Sequence, residues 1–169
     1  MNDSQRLLLD WMRKIHQLEY AHCFQSLFYT CLEKWIGSLL VVLTTTIAFT
    51  YMFPFIEYPF VKEYVLPFLA FIVALLTGYQ AFIRPNEKSE IHRKLGLEYE
   101  KIRHEIEHVY LLASNPSNLV VEIKKEAIMN KWNSLTTIYV KQRYYEKAKK
   151  KVKSFNKYRN ELDFIPEIK

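Results

Sequence analysis

Apolar positions follow two different patterns along this chain. Two runs without a single charged residue stand about ten residues apart, at 35–53 (WIGSLLVVLTTTIAFTYMF) and 64–83 (YVLPFLAFIVALLTGYQAFI). At about 1.5 Å rise per residue, a helix of either length reaches about 30 Å, the hydrocarbon thickness of a bilayer. A soluble core helix this long keeps a polar stripe, and neither run has one. Both are therefore predicted to span a membrane. In the first run, Thr44, Thr45, Thr46 and Thr50 do not forbid this, because their hydroxyls can return to backbone carbonyls one turn back.

Outside the runs, apolar residues recur at steps of three and four. Leu7 or Leu8, Trp11, Ile15, Leu18 and His22 mark one face of a helix that is expected to continue into the first run. After the second run Pro85 restarts the chain. Ile91, Leu95, Tyr99, Ile102, Ile106 and Val109 then form the stripe of a long helix ending near Ser114. Asn115, Pro116, Ser117 and Asn118 predict a turn, with Ser117 or Asn118 capping the next helix. From Leu119 to about Leu162 helical spacing persists through Leu135, Ile138, Tyr145, Ala148, Val152, Phe155 and Leu162, with a break possible at Asn130, Asn133 and Ser134. With three glycines and no strand-like alternation, the fold class is all-α: a two-helix transmembrane hairpin with amphipathic helices before and after it. Four segments are expected: an amphipathic helix at 1–34, the hairpin at 35–83, a juxtamembrane helix at 84–114 and a basic helical segment at 115–169.

Charge orients the hairpin. The connector 54–63 carries Glu57, Lys62 and Glu63, whereas Lys34 precedes the first run and Arg84, Lys88, Arg93 and Lys94 follow the second. Positive residues stay inside, so both termini are expected in the cytoplasm of a multi-pass membrane protein. Pro54, Pro59 and Pro67 predict a tight, non-helical connector. Some thirty polar and mixed residues precede the first run, so it is expected to be an anchor and not a cleaved leader. Cys23 and Cys31, eight residues apart on one helix, are too distant to bridge within a chain.

Net charge adds a second theme. From Arg84 to the end there are 19 basic and 12 acidic residues, and between Lys141 and Arg159 nine basic residues meet one acid, Glu146, among Tyr144, Tyr145, Phe155 and Tyr158. Such a run fits a solvated helix face, an arm on anionic inner-leaflet lipid, or a surface for nucleic acid or another phosphate-rich ligand. Lys150 and Lys151 within it are candidate ligand-binding residues. His104 and His108 stand one turn apart, but Glu105 and Glu107 complete no known metal spacing. No catalytic constellation, metal site or cofactor is expected, and the chain does not read as an enzyme.

The segment 78–107, GYQAFIRPNEKSEIHRKLGLEYEKIRHEIE, has a basic exit from the second run, then His92 and, seven residues on, Tyr99. Together with the leading helix from Trp11 through His22 to Trp35, it resembles the SLATT domain, a two-transmembrane effector domain of bacterial nucleotide-signalling and conflict systems. The resemblance covers roughly residues 8–109. It implies a cell-suicide effector of anti-phage defence that oligomerises and permeabilises or depolarises the inner membrane, with a separate synthase supplying a cyclic oligonucleotide signal.

His92, Gly96, Tyr99 and Arg103 share one helix face. Two uses of that face are open: Tyr99 stacking a base while Arg103 meets a phosphate, or His92 and Tyr99 hydrogen-bonding to the leading helix to hold the hairpin in register. Two helices cannot enclose a water path, so a permeabilising chain needs further copies of itself. Gly37, Ser38, Thr44, Thr45, Thr46, Thr50, Thr77, Gly78 and Gln80 are the candidates for helix contact or pore lining. A different class of function also fits: a non-toxic membrane adaptor whose basic helix binds an acidic protein, nucleic acid or anionic lipid.

Overall fold

Long helices follow from a chain with three glycines. The structure, a computed structural model, describes residues 3–52, 59–113, 119–135 and 138–155. Five α-helices are described: α1 (Asp3–Met52), α2 (Leu66–Ile83), α3 (Pro85–Leu112), α4 (Leu119–Ser134) and α5 (Gln142–Lys153), with no strand among the described residues. The fold is all-α, as the periodicity predicts. The leading amphipathic segment and the first apolar run form one unbroken helix, α1.

The chain divides into two compact units, residues 27–89 and a second made of 1–26 with 90–169. These limits fall inside α1 and α3, not at the composition changes near 34 and 84; α1 runs through the first change without a break, and α3 begins at Pro85, just after the second.

The unit at 27–89 holds both apolar runs. Residues 53–58, with Pro54, Glu57 and Tyr58 of the connector, lie outside the described residues. The remainder of the connector corrects the expectation of a non-helical turn: Pro59 and Phe60 are helical and Val61–Val65 form a π-helical turn. Pro67 accounts for that turn. It has no N–H to give and its ring crowds the carbonyl four residues back, so the backbone widens, and the Leu66 N–H reaches five residues back to the Val61 oxygen. At the other end of α2, Arg84 takes a left-handed conformation (φ 47°, ψ 60°) while its N–H still donates to the Gln80 oxygen at 3.0 Å. Pro85, whose missing N–H costs nothing in a first turn, then opens α3. As predicted, Thr44, Thr46 and Thr50 donate to carbonyls one turn back, at 2.7 to 2.8 Å, and Thr77 does the same in α2. Close to the limit of this unit the Thr30 and Ser89 hydroxyls hydrogen-bond at 2.7 Å.

The other unit has a conventional core. Leu8, Leu9, Met12 and Ile15 of α1 meet Tyr99, Ile102, Ile106 and Val109 of α3, joined by Val121 and Ile128 of α4 and Val152 of α5. The rings of Trp11 and Trp132 meet edge to face, centroids 6.5 Å apart. Ile91 leaves the predicted stripe and is exposed, while His92, the next residue, is buried.

Helical spacing after Leu119 is interrupted at one of the positions where a break is expected, Ser134. α4 passes through Asn130 and Asn133, ends at Ser134, and α5 begins at Gln142. Between them the backbone N–H of Lys141 donates to Gln25 Oε1 at 2.8 Å, so a tertiary bond replaces a helical one. The predicted turn at Asn115, Pro116, Ser117 and Asn118, the helix end at Ser114, and Tyr158, Arg159 and Leu162 lie outside the described residues.

Candidate functional site

Polar residues placed on an otherwise apolar helix face are costly unless they find one another. On α1 and α3 they do. Gly96 sets the spacing: a Cβ built there would stand 3.7 Å from the Glu19 carbonyl oxygen, 3.8 Å from His22 Cβ and 3.9 Å from the Cys23 nitrogen. The two backbones therefore come close at this level, and the histidines on either side meet. His22 Nδ1 and His92 Nδ1 are 2.9 Å apart, the rings 5.1 Å between centroids, and both residues are buried, at 2 % and 4 % exposure. Tyr99, buried on the same face of α3, lays its ring 5.5 Å from that of His22.

A hydrogen bond between two Nδ1 atoms requires one ring to donate and the other to accept. The neutral pair thus holds complementary tautomers. Burial pushes His22 down to about 4, with the neighbouring His92 adding to the effect, and burial also lowers His92. Both rings are neutral at neutral pH. Burial raises the Tyr99 hydroxyl above its ordinary value, so it stays protonated.

One turn along the face, Arg103 Nε donates to Glu19 Oε2 at 2.8 Å, and its Nη1 lies 3.5 Å from Glu107 Oε2. Burial raises the Glu19 carboxyl above the usual range against the opposing pull of Arg103. His92, Tyr99 and Arg103, all sequence candidates, are brought together, and they are directed at α1. A ligand would reach Tyr99 and Arg103 only where α1 and α3 part.

Lys150 and Lys151 stand elsewhere, exposed on α5. That helix packs on a different strip of α1: Phe155 stacks on His16 and lies 6.0 Å from Tyr20, and Lys147 Nζ is 4.5 Å above the Phe24 ring. The proposed contact or lining residues all belong to the unit at 27–89. Thr44, Thr45, Thr46, Thr77 and Gly78 are exposed, Thr50 and Gln80 half-buried. A Cβ added at Gly37 or Gly78 would meet nothing within 4 Å. Among the described residues neither glycine serves a close approach.

Sequence reasoning put His22 on the correct stripe without naming its partner, and it missed Glu19. It also missed a groove of about 290 Å³ lined by Glu105, His108, Val109, Lys124, Ala127, Ile128 and Lys131, in which Lys131 and Glu105 pair at 2.6 Å. Among the described residues no three His, Cys, Asp or Glu side chains converge as a metal site would require.

Comparison with family models, with curated proteins and with solved structures finds no match to this chain.

Proposed function

We propose that this chain is a bacterial inner-membrane effector. The runs at 35–53 and 64–83 cross the bilayer as a hairpin with both termini cytoplasmic, and several copies assemble to permeabilise or depolarise the membrane under control of a cyclic nucleotide. The observation that carries the membrane part is exposure. α1, and the stretch running from Val61 into α3, are each long and apolar enough to cross a membrane, and only 6 % of the most apolar window of each is buried. Val41, Val42 and Phe49 on α1 and Phe68, Phe71, Leu75 and Phe82 on α2 face outward. A core helix would bury these side chains, and in water so much contiguous apolar surface is rare. Lipid, or lipid together with sister copies, satisfies it.

The control step is assigned to the seam between α1 and α3. α1 is continuous from the buried His22 into the first run, and α3 begins two residues after the second. A ligand that parts His92, Tyr99 and Arg103 from α1 acts on helices joined directly to the membrane segments. Assembly is required because two helices cannot enclose water. Thr44, Thr46, Thr50 and Thr77 satisfy their own donors and still offer oxygen lone pairs to water.

The test is dye release from liposomes holding the full chain, with and without a panel of cyclic di- and oligonucleotides. Release is expected to change with one member of the panel and to be lost in Thr45→Lys, which places a charge in the membrane. Release that persists in a chain lacking both runs overturns the reading. Silence across the panel by a correctly inserted protein shifts control to a protein partner or favours the adaptor function.

A further inference from the structure

We infer that the exposed face of α5 is a docking surface for the anionic lipid headgroups of the membrane in which this chain is anchored. The inference rests on the membrane reading above and names the occupant of a surface which that reading leaves without one.

α5 carries Arg143, Lys147, Lys149, Lys150, Lys151 and Lys153, all exposed, against the one acid Glu146. Its buried face is small, Ala148 and Val152, so the helix is held to the unit at 1–26 and 90–169 by one narrow strip. Apart from Gln142, Glu146 and the half-buried Tyr144 and Tyr145, its remaining residues are all basic. On the arc opposite Ala148, Glu146 shares its carboxylate with Gln142 at 3.1 Å, and Arg143, Lys150 and Lys153 surround it. The cationic outer face of a helix is suited to a layer of anionic headgroups.

Two observations select lipid over nucleic acid. The first is tethering. The N-terminal end of α5 is fastened to α1 through the Lys141 N–H on Gln25, with Lys147 over Phe24. Gln25 precedes the first apolar run by ten residues, which even fully extended reach no further than about 35 Å. Whatever direction those residues take, a lipid surface is always within that reach and at high local concentration, whereas a nucleic acid must be recruited from solution. The second is the state of the aromatic rings. Proteins that hold single-stranded nucleic acid offer rings on which bases stack. Within α5, Tyr144 and Tyr145 are half-buried, Tyr144 with the Arg143 guanidinium 4.5 Å from its centroid, and Phe155 beyond the helix is stacked on His16. Tyr139, 77 % exposed just before α5, is an amphipathic ring of the kind that sits at headgroup level.

The test uses the full chain in vesicles. Cys23 and Cys31 are replaced by Ser, and a single reporter thiol is introduced by Ser154→Cys at the exposed end of α5, where no lysine is lost. A fluorophore there is read against nitroxide-headgroup lipid, in zwitterionic vesicles and in vesicles with about a third anionic lipid. Quenching is expected to rise at least about twofold with anionic lipid, to fall again as salt shortens the Debye length from about 10 Å toward 3 Å, and to vanish in Lys149→Glu/Lys150→Glu/Lys153→Glu. Quenching indifferent to lipid charge and salt overturns the proposal. So does a reporter that ignores lipid and responds instead to an added oligonucleotide or acidic protein. A second chain labelled through Thr45→Cys, read against acyl-chain quenchers, separates the two readings. If position 45 is quenched and 154 is not, only the docking surface falls. If position 45 is not quenched, the membrane reading falls and the docking surface with it.

Discussion

The two units of this chain place their large apolar side chains in opposite ways. In the unit at 1–26 and 90–169, Leu8, Met12, Ile15 and Ile106 are fully buried, and charged residues cover the outside. In the unit at 27–89 the large apolar side chains face outward, Phe82 at 87 % exposure, while the threonine hydroxyls turn back onto their own helices. The first arrangement is stable in water. The second is the arrangement that the proposed membrane hairpin requires. Polar groups follow the same division: the first unit buries His22, Gln25 and His92 against one another or against backbone, which commits it to one packing, whereas the second buries little that would fix a partner.

Truncating one apolar residue in each unit should have very different costs. Ile106→Ala is expected to destabilise the first unit by about 2–5 kcal/mol, through lost burial and the cavity left behind. Phe71→Ala, a larger truncation on an exposed face, is expected to change stability by less than about 0.5 kcal/mol. Trp11 and Trp132 report unfolding of the first unit in detergent once Trp35 is replaced by Phe. A Phe71→Ala cost comparable to that of Ile106→Ala would mean that α2 is packed, and the contrast between the units would fail.

Acid is the next largest expected effect. The folded-state value of His22 is depressed to about 4 from the ordinary 6.5, so between these limits the unfolded chain binds more protons than the folded one. Stability is therefore complete above about pH 6.5 and falls as the pH drops toward 4, by up to about 3 kcal/mol at about 1.4 kcal/mol per unit. His92 acts in the same direction. A first proton leaves one Nδ1–H to donate to the other ring. A second would set two N–H groups face to face at 2.9 Å. Tyr99 lies against His22, and one turn away the raised carboxyl of Glu19, held by Arg103, works the opposite way, since its protonation favours the folded state above pH 4.5. A loss of stability as the pH falls below 6.5 has the sign of the histidines and not of Glu19, so a His22→Phe/His92→Phe chain should flatten or reverse that slope. Unfolding curves at successive pH values measure this directly, and a slope unchanged in that variant would remove the histidines from the account.

Arg103→Met leaves the Glu19 carboxylate half-buried without its charged donor and is expected to cost about 1.5–3 kcal/mol. Glu19→Gln/Arg103→Met should recover part of that loss. If Arg103 served mainly to receive a ligand and not to hold α1, its removal would leave thermal unfolding of the first unit unchanged while altering the nucleotide response of dye release.

Much of this was legible in the sequence, and the exceptions share a cause. Helical periodicity assigns a face, so the stripes of α1 and α3, the all-α class and the long apolar runs could be read directly. Periodicity does not assign register between helices. His22 and His92 were each placed on a packing face, but that they meet follows from the close approach at Gly96, a tertiary fact. The end of α4 falls at Ser134, where a break is expected, but the backbone bond of Lys141 just before α5 goes to Gln25, more than a hundred residues away. The π-helical turn arises from Pro67 acting on the segment before it, where the prolines alone suggested only a loop.

The smallest expected effect is also the most discriminating, because the two units contain comparable glycines in helix interiors. At Gly96 the neighbours of an added Cβ lie at 3.7 to 3.9 Å, ordinary contact distances. Ala should therefore fit, and helix propensity should raise stability by about 0.8–1 kcal/mol. Leu in the same place would drive α3 from α1 at a cost of about 1–3 kcal/mol. At Gly78 an added Cβ meets nothing within the chain, so Ala and Leu should be equally tolerated by a single copy. If Gly78 is instead where copies approach one another, Gly78→Leu should reduce dye release while leaving the unfolding of the first unit unchanged. Equal release from wild type and Gly78→Leu would take that glycine out of the assembly surface and leave the threonines as the residues to test.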